Sequence, residues 1–200
     1  MSGFSSKRRI LLTASAAVAL SPFLAGCNKK ELAFQGSDIS GTQLGRDLDM
    51  QDGDGKPRKL ADYKGKVAVV FFGYTQCPDV CPTAMAELSQ TMELLGADAA
   101  KVQVIMISVD PARDTPEILS AYVKAFNPDF VGLTGTPEQL SKTAKSFKAY
   151  YAKSSGGNAE QYGMDHASSF YILDKEGEAR VLVSGNATAQ DIAADIKQLL

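Results

Sequence analysis

Short apolar runs alternate with amphipathic stretches along the chain. The run 67–72, Val-Ala-Val-Val-Phe-Phe, is β-branched and aromatic in character and lies between two glycines, which predicts a strand buried on both faces. A helix is predicted over 82–95, because Pro82 suits a first helical turn and Gly96 suits a helix end. The loop between them therefore lies where a buried strand meets the start of a helix.

The rest of the chain continues this alternation. Thr115, Thr136 and Thr188 each stand where a helix N-cap is expected, before an amphipathic stretch. Turn-forming residues at 52–55 and 174–177 predict two antiparallel hairpins. The other predicted strands are 45–50, 58–60, 102–109, 130–133, 169–173 and 179–183. This order predicts an α/β domain with a mixed central sheet covered by helices on both faces, and with an N-terminal antiparallel hairpin extension.

Two cysteines, Cys77 and Cys81, lie at the first buried strand-to-helix junction. A cysteine motif at this place is typical of a thioredoxin-like fold. The N-terminus of a helix favours thiolate over thiol, and residues four apart are neighbours once the segment is helical. The two sulfurs can therefore converge, either to close a disulfide or to bind a soft metal ion.

The N-terminus has the pattern of an export signal. Residues 7–9, Lys-Arg-Arg, precede an apolar stretch over 10–25 that is too short for a membrane-spanning helix. The stretch ends in Leu-Ala-Gly-Cys, which matches the lipobox of bacterial lipoproteins, in which the cysteine is lipid-modified after cleavage. An ordinary secretory signal is the alternative interpretation. We expect Cys27 to carry the lipid and the chain to be anchored on the periplasmic side of the bacterial cell envelope.

This interpretation divides the chain into a signal peptide over 1–27, a tether over 28–36 and one folded domain over 37–200. The domain is large enough for one well-buried core. Net charge is −2, and no lysine or arginine block lies outside the signal, which argues against nucleic acid as a partner. We expect a monomer.

Export also bears on the cysteines. The chain has three, and Cys27 is used by the anchor, which leaves Cys77 and Cys81 as the thiols of the soluble part. In an oxidising compartment two thiols held together form a disulfide unless a metal or a reductant intervenes. The pair therefore predicts redox chemistry or a metal site.

Four motifs together resemble the SCO/SenC family. They are Asp-Tyr-Lys-Gly-Lys at 62–66, Phe-Phe-Gly-Tyr-Thr-Gln-Cys-Pro-Asp-Val-Cys-Pro at 71–82, Ser-Val-Asp-Pro-Ala-Arg-Asp-Thr-Pro at 108–116 and Asp-His-Ala-Ser at 165–168. Members of that family are membrane-tethered, thioredoxin-fold copper proteins that help to assemble the CuA centre of cytochrome c oxidase. The resemblance implies that Cys77, Cys81 and His166 bind one copper ion per chain. It implies as partners the CuA-bearing oxidase subunit, a periplasmic copper donor and a thiol reductase.

The implied ligand set is chemically selective. Two thiolates and one imidazole favour Cu(I), with Zn(II) as the usual competitor, and a structural zinc site would need a fourth protein ligand. His166 is the single histidine of the chain, so no second histidine can supply a fourth ligand. Cu(II) is a second possible state, for which Asp165 would be a further oxygen ligand. Met164 is either a weak sulfur ligand or a packing residue.

Two functions compete for the same sulfurs. One is a copper metallochaperone, which binds and transfers the ion without catalytic turnover. The other is a thiol-disulfide oxidoreductase that uses the redox-active pair Cys77 and Cys81 to reduce the cysteines of a CuA site. A thiol peroxidase is a third possibility, to which the cysteine spacing gives little support.

Several neighbouring residues also have structural interpretations. Asp79 is expected to cap the helix that follows it, and a contact with a partner protein is the alternative. Asp110, Arg113 and Asp114 are either salt-bridging loop residues or contacts for a docked cupredoxin partner. The polar stretch 153–163 is expected to be a mobile loop that brings His166 to the cysteines.

Overall fold

The computed structural model describes residues 32–154 and 162–200. The predicted signal peptide, Cys27 and the first part of the predicted tether lie outside the described residues, as does 155–161 of the predicted loop. Within the described ranges, no helix has the length and apolar character that would be needed to cross a bilayer.

The described residues form ten strands and four α-helices. The strands are β1 Ser37–Asp38, β2 Asp49–Gln51, β3 Pro57–Lys59, β4 Val67–Gly73, β5 Val102–Ser108, β6 Val131–Leu133, β7 Tyr151–Lys153, β8 Met164–His166, β9 Phe170–Leu173 and β10 Ala179–Val183. The helices are α1 Val80–Leu95, α2 Pro116–Phe126, α3 Pro137–Phe147 and α4 Ala189–Leu199. Two 3₁₀ helices, Leu60–Tyr63 and Gly96–Lys101, each precede a central strand.

Six strands form one mixed sheet in the order β1-β10-β9-β4-β5-β6. β4, β5 and β6 are parallel, whereas β9, β10 and β1 are each antiparallel to their neighbours. β2 pairs with β3 as the predicted N-terminal hairpin, and β7 pairs with β8 in a separate two-stranded ribbon. This arrangement confirms the predicted thioredoxin-like α/β fold.

Every residue of β4 is buried, as its uninterrupted apolar sequence predicts. Successive side chains of a strand point to opposite faces of the sheet. On one face, Phe72 packs against Phe147 of α3. On the other face, Phe71 packs against Phe170, and Gly73 lies next to Cys81 of α1. The sheet therefore carries helices on both faces.

The helix starts follow the predicted caps. The hydroxyl oxygens of Thr115, Thr136 and Thr188 each accept a hydrogen bond from a backbone N–H in the first turn, at 3.2 to 3.3 Å. Because these caps satisfy donors that a helix start leaves unpaired, they fix where α2, α3 and α4 begin.

The main differences from the predictions are the start of β2, the start of α1 and three strands that were not predicted. β2 begins at Asp49 rather than at 45, because Gly45 has φ +78° and its Cα lies against the Phe147 ring, which makes it a turn residue. α1 begins at Val80, two residues before the predicted start. β1 and the β7–β8 ribbon were not predicted, since each strand has three residues or fewer.

The last residues of the predicted tether lie against α4. The buried carboxylate of Asp195 accepts hydrogen bonds from the backbone N–H groups of Gln35 at 2.6 Å and Gly36 at 2.9 Å. Ala33 and the side chain of Gln198 exchange two further hydrogen bonds, at 2.9 and 2.6 Å. The chain is therefore fixed to the domain from Ala33 onward.

Candidate metal centre

Three side chains from separate parts of the fold converge at the carboxyl end of β4. Cys77 lies in the loop after β4, Cys81 lies in the first turn of α1, and His166 ends β8. The two sulfur atoms and a ring nitrogen of His166 all lie within 4.8 Å of one another. The structure thus brings together the three residues that the sequence resemblance selected.

Cys77 lies over the start of α1. Its sulfur accepts a hydrogen bond from the backbone N–H of Cys81 at 3.4 Å. Asp79 stands at the N-cap position, but its side chain makes no capping hydrogen bond, so the prediction that Asp79 caps this helix is wrong. The reason is that the Cys77 sulfur already occupies the space in front of the free N–H groups.

The two thiols differ in acidity. Burial raises the pKa of Cys77, but the backbone N–H groups of Asp79, Cys81 and Val80 directed at its sulfur outweigh burial, and the net pKa lies below its ordinary value. Burial raises the pKa of Cys81 far above its ordinary value, and the adjacent Cys77 raises it further. Cys77 is therefore the nucleophilic thiol of the pair, and Cys81 is the protonated one.

Gly73 leaves room for the Cys81 sulfur. A Cβ atom built on Gly73 would lie 2.9 Å from Cys81 Sγ, 2.8 Å from the Phe71 ring and 3.0 Å from Met106 Cε. Real Cβ atoms do not approach so closely, so only glycine allows the sulfur to pack against the end of β4. The glycine after the buried strand is thus part of the site.

The imidazole of His166 is oriented by the backbone carbonyl of the next residue, Ala167. Nδ1 lies 3.0 Å from the carbonyl oxygen of Ala167, which can only accept a hydrogen bond, so Nδ1 carries the proton. Nε2 then presents its lone pair towards Cys81 Sγ, 3.5 Å away. The rings of Phe71 and Tyr74 meet the imidazole edge to face, with centroids 6.0 and 5.9 Å away. With the proton on Nδ1, the lone pair of Nε2 is available to bind a metal ion.

His166 lies on a short strand, β8, which follows the predicted loop over 153–163. β7 and β8 pair with Tyr151 opposite His166, and the N–H of Ala167 donates to the carbonyl of Tyr150 at 2.9 Å. The sequence did not predict this ribbon, because its two strands are short and carry little periodic signal. The ring is therefore presented by a hydrogen-bonded ribbon.

A buried carboxylate holds the cysteine loop to β5. Asp114 accepts hydrogen bonds from the Thr75 N–H at 3.1 Å, from the Thr75 hydroxyl at 2.6 Å and from the Ser108 hydroxyl at 2.6 Å. Asp110 and Arg113 form an ion pair in the same loop. These contacts agree with the structural interpretation of 110–114. The contribution of Thr75 was not foreseen, because nothing in its local sequence marks a partner 39 residues away.

Two neighbours of His166 were candidates for a further ligand. Met164 is half-buried and packs against the hydrophobic core. Asp165 is exposed, and its carboxylate accepts a hydrogen bond from the Ser154 hydroxyl at 2.8 Å. Among the described histidine, cysteine and acidic side chains, the converging group consists of Cys77, Cys81 and His166, and Asp165 is not part of it.

Comparisons with known proteins identify the family. The family model of SCO1/SenC matches residues 37–200. Protein sco1 of Schizosaccharomyces pombe is 33% identical over 201 residues, which cover 97% of this chain and 76% of that protein. The structure of Bradyrhizobium japonicum ScoI with copper bound is 38% identical, with a TM-score of 0.72, and the match covers 78% of this chain and 99% of that one. A SCO1/SenC family lipoprotein from Bacillus anthracis is 33% identical, with a TM-score of 0.66, and the match covers 78% and 96%. The chain belongs to the SCO1/SenC family.

Proposed function

We propose that this protein is a copper metallochaperone that binds one copper ion and delivers it to the CuA centre of cytochrome c oxidase. The ligands are Cys77 Sγ, Cys81 Sγ and His166 Nε2. The observation that carries the proposal is the convergence of these three atoms within 4.8 Å, with the histidine already in the ligating tautomer. The copper-bound Bradyrhizobium relative supports the choice of metal.

The donor set fits copper better than its competitors. Thiolate and imidazole ligands select Cu(I) over the oxygen-preferring ions, and three ligands satisfy a trigonal Cu(I) site. A structural zinc site is four-coordinate, and the converging group supplies three donors. One side of the ion therefore stays open for a ligand from the receiving protein.

The difference between the thiols suits transfer. Cys77 is half-buried and reaches the surface, whereas Cys81 is buried. An incoming thiolate would displace the Cys77 sulfur first, because that ligand is the accessible one, while Cys81 and His166 still hold the ion. The ion then passes through shared coordination, and each thiolate that releases it can take up a proton from water.

We propose that the domain is lipid-anchored at Cys27 on the periplasmic side of the bacterial cell envelope. The Leu-Ala-Gly-Cys sequence at 24–27 supports this location, and a Bacillus anthracis member of the family is a lipoprotein. Labelling with a radioactive fatty acid would test it: the wild-type chain should incorporate label, and the Cys27→Ser variant should not.

The second candidate function is reduction of the cysteines of the CuA site. The pKa of Cys77, lowered by backbone N–H groups, beside a buried partner thiol whose pKa is raised favours it, because that is the arrangement of an attacking and a resolving cysteine. In such a reaction Cys77 would attack the target disulfide, and Cys81 would then release the reduced target as the pair closes its own disulfide.

A single variant separates the two functions. His166→Ala removes a copper ligand and leaves both sulfurs in place, so we expect it to lose tight Cu(I) binding and to retain disulfide exchange with a small dithiol. Oxidase maturation should fail in cells that carry this variant. Full maturation by His166→Ala would contradict copper transfer and favour the reductase.

A further inference from the structure

We propose that Tyr162 is a positioning residue that fastens the β7–β8 ribbon, and with it His166, to the cysteine loop. The inference deepens the proposed function and rests on it in one respect, namely that the position of the ribbon then controls how long copper is held. The effect of Tyr162 on the opening of the ribbon concerns the metal-free chain and does not depend on the proposed function.

The ribbon needs such a fastening. β7 and β8 have three residues each and are not part of the six-stranded sheet. An isolated two-stranded ribbon is at best marginally stable in water. The position of the His166 ring near the sulfurs therefore depends on the contacts that hold the ribbon to the rest of the domain.

Tyr162 connects the ribbon to the loop after β5. Its hydroxyl donates a hydrogen bond to the buried carboxylate of Asp110 at 2.8 Å. The guanidinium carbon of Arg113 lies 3.7 Å from the centre of its ring, and the ammonium of Lys153, in β7, lies 4.1 Å from the same centre. One side chain thus contacts both the ribbon and the 110–114 loop.

The connection continues to the cysteine loop through Arg113. Its Nε donates to Asp110, and its Nη1 donates to Gln76 Oε1 at 3.0 Å. Gln76 directly precedes Cys77, so the path runs from the histidine ribbon to the thiol loop without a break. Nη2 of Arg113 is buried and has no hydrogen-bond partner among the described residues. The rings of Tyr162 and Tyr74 flank that end of the Arg113 side chain.

The strength of the fastening follows from its chemistry. A hydrogen bond to a charged acceptor is stronger than one between neutral groups, and a cation over an aromatic face adds to it. Removing the Tyr162 hydroxyl should raise the opening equilibrium of the ribbon about tenfold. Removing the ring as well should raise it further.

The test uses the full-length chain with Tyr162→Phe, Tyr162→Leu and the control Tyr150→Phe. Tyr150 adjoins the same ribbon, but its side chain is 64% exposed. Amide hydrogen exchange in the metal-free protein measures ribbon opening at Ser154 and Ala167, whose N–H groups donate across the ribbon to the carbonyls of Gly163 and Tyr150, with the β4 amides as the reference for global unfolding. Loss of bound copper to a Cu(I) chelator measures how firmly the ion is held.

We expect Tyr162→Phe to accelerate ribbon exchange and copper loss about tenfold, with β4 exchange unchanged. Tyr162→Leu should exceed it, and Tyr150→Phe should match the wild type. Unchanged ribbon exchange in Tyr162→Leu would overturn the proposal, and so would equal acceleration in β4, which would mean a general loss of stability. A chain that never binds copper would refute the proposed function, while the exchange data would still decide the role of Tyr162.

Discussion

At the scale of single residues, the two cysteines differ because of where each lies on one helix start. The Cys77 sulfur faces backbone N–H groups, which favour its thiolate, whereas the Cys81 sulfur is packed between Gly73 and the His166 ring. The sequence predicted that both sulfurs would converge, but their difference depends on burial, which becomes known only when α1 is docked on the sheet.

The first expected outcome is unequal alkylation. Iodoacetamide reacts with thiolate, so at neutral pH Cys77, with its lowered pKa, should be modified well before Cys81, whose pKa is raised and whose side chain is buried. Peptide mass spectrometry of the reduced, metal-free chain over time measures both rates. In Cys77→Ser, Cys81 should remain slow. Equal rates for the two thiols would contradict this assignment.

The second expected outcome concerns Asp114, whose two oxygens face N–H and O–H donors only. Asp114→Asn would direct an NH₂ group at one of these donors and leave buried groups unpaired, at a cost of about 1–3 kcal/mol in the free energy of unfolding. Urea denaturation measures it. The control Asp165→Asn, at an exposed site, should change stability by less than about 0.5 kcal/mol. Equal effects would mean that Asp114 is not an anchor.

At the scale of elements, the sequence predicted those parts that carry their own signal. The buried strand β4, the threonine caps of three helices and the hairpin turns were visible because periodicity, burial and capping are local. The β1 strand and the β7–β8 ribbon were not, since Ser37–Asp38 and the short polar arms of the ribbon become strands through tertiary contacts alone.

The third expected outcome tests how the N-terminal segment is held on α4. Asp195 is fully buried and accepts two backbone N–H groups, whereas Gln198 makes exposed hydrogen bonds. Asp195→Ala should therefore lower the free energy of unfolding by about 1–3 kcal/mol and open residues 33–36 to proteases, and Gln198→Ala should do much less. Limited proteolysis with mass spectrometry measures the opening. An intact segment in Asp195→Ala would contradict the role of this carboxylate.

At the scale of the molecule, the donor cluster lies at one end of β4, and the contact between Ala33 and α4 lies near the other end. The N–H of Gly65, before β4, donates to the carbonyl of Lys175 at 2.8 Å, and Lys175 Nζ reaches the carbonyl of Leu200 at the end of α4. The chain enters near that end of α4, through Ala33 and Gln198. Cys77 comes after the other end of β4. The two ends of a strand of this length are about 23 Å apart. The donor cluster therefore lies away from the contact between Ala33 and Gln198.

The fourth expected outcome is a pH dependence of copper affinity. Because the pKa of Cys81 is raised, this thiol is protonated in the metal-free chain at neutral pH, and copper must displace its proton. Affinity should therefore fall as pH falls, about tenfold per pH unit for each proton displaced. Competition against a Cu(I) chelator at several pH values measures the slope. An affinity independent of pH would exclude Cys81 as a ligand.

The central claim is that two sulfurs and one nitrogen of this chain hold copper together. X-ray absorption spectroscopy of the copper-loaded, reduced, full-length protein tests it most directly, because it counts the atoms bound to the metal. We expect two sulfur neighbours and one imidazole nitrogen, and in His166→Ala two sulfur neighbours without the imidazole. A copper ion surrounded by oxygen, or an imidazole signal that persists in His166→Ala, would contradict it.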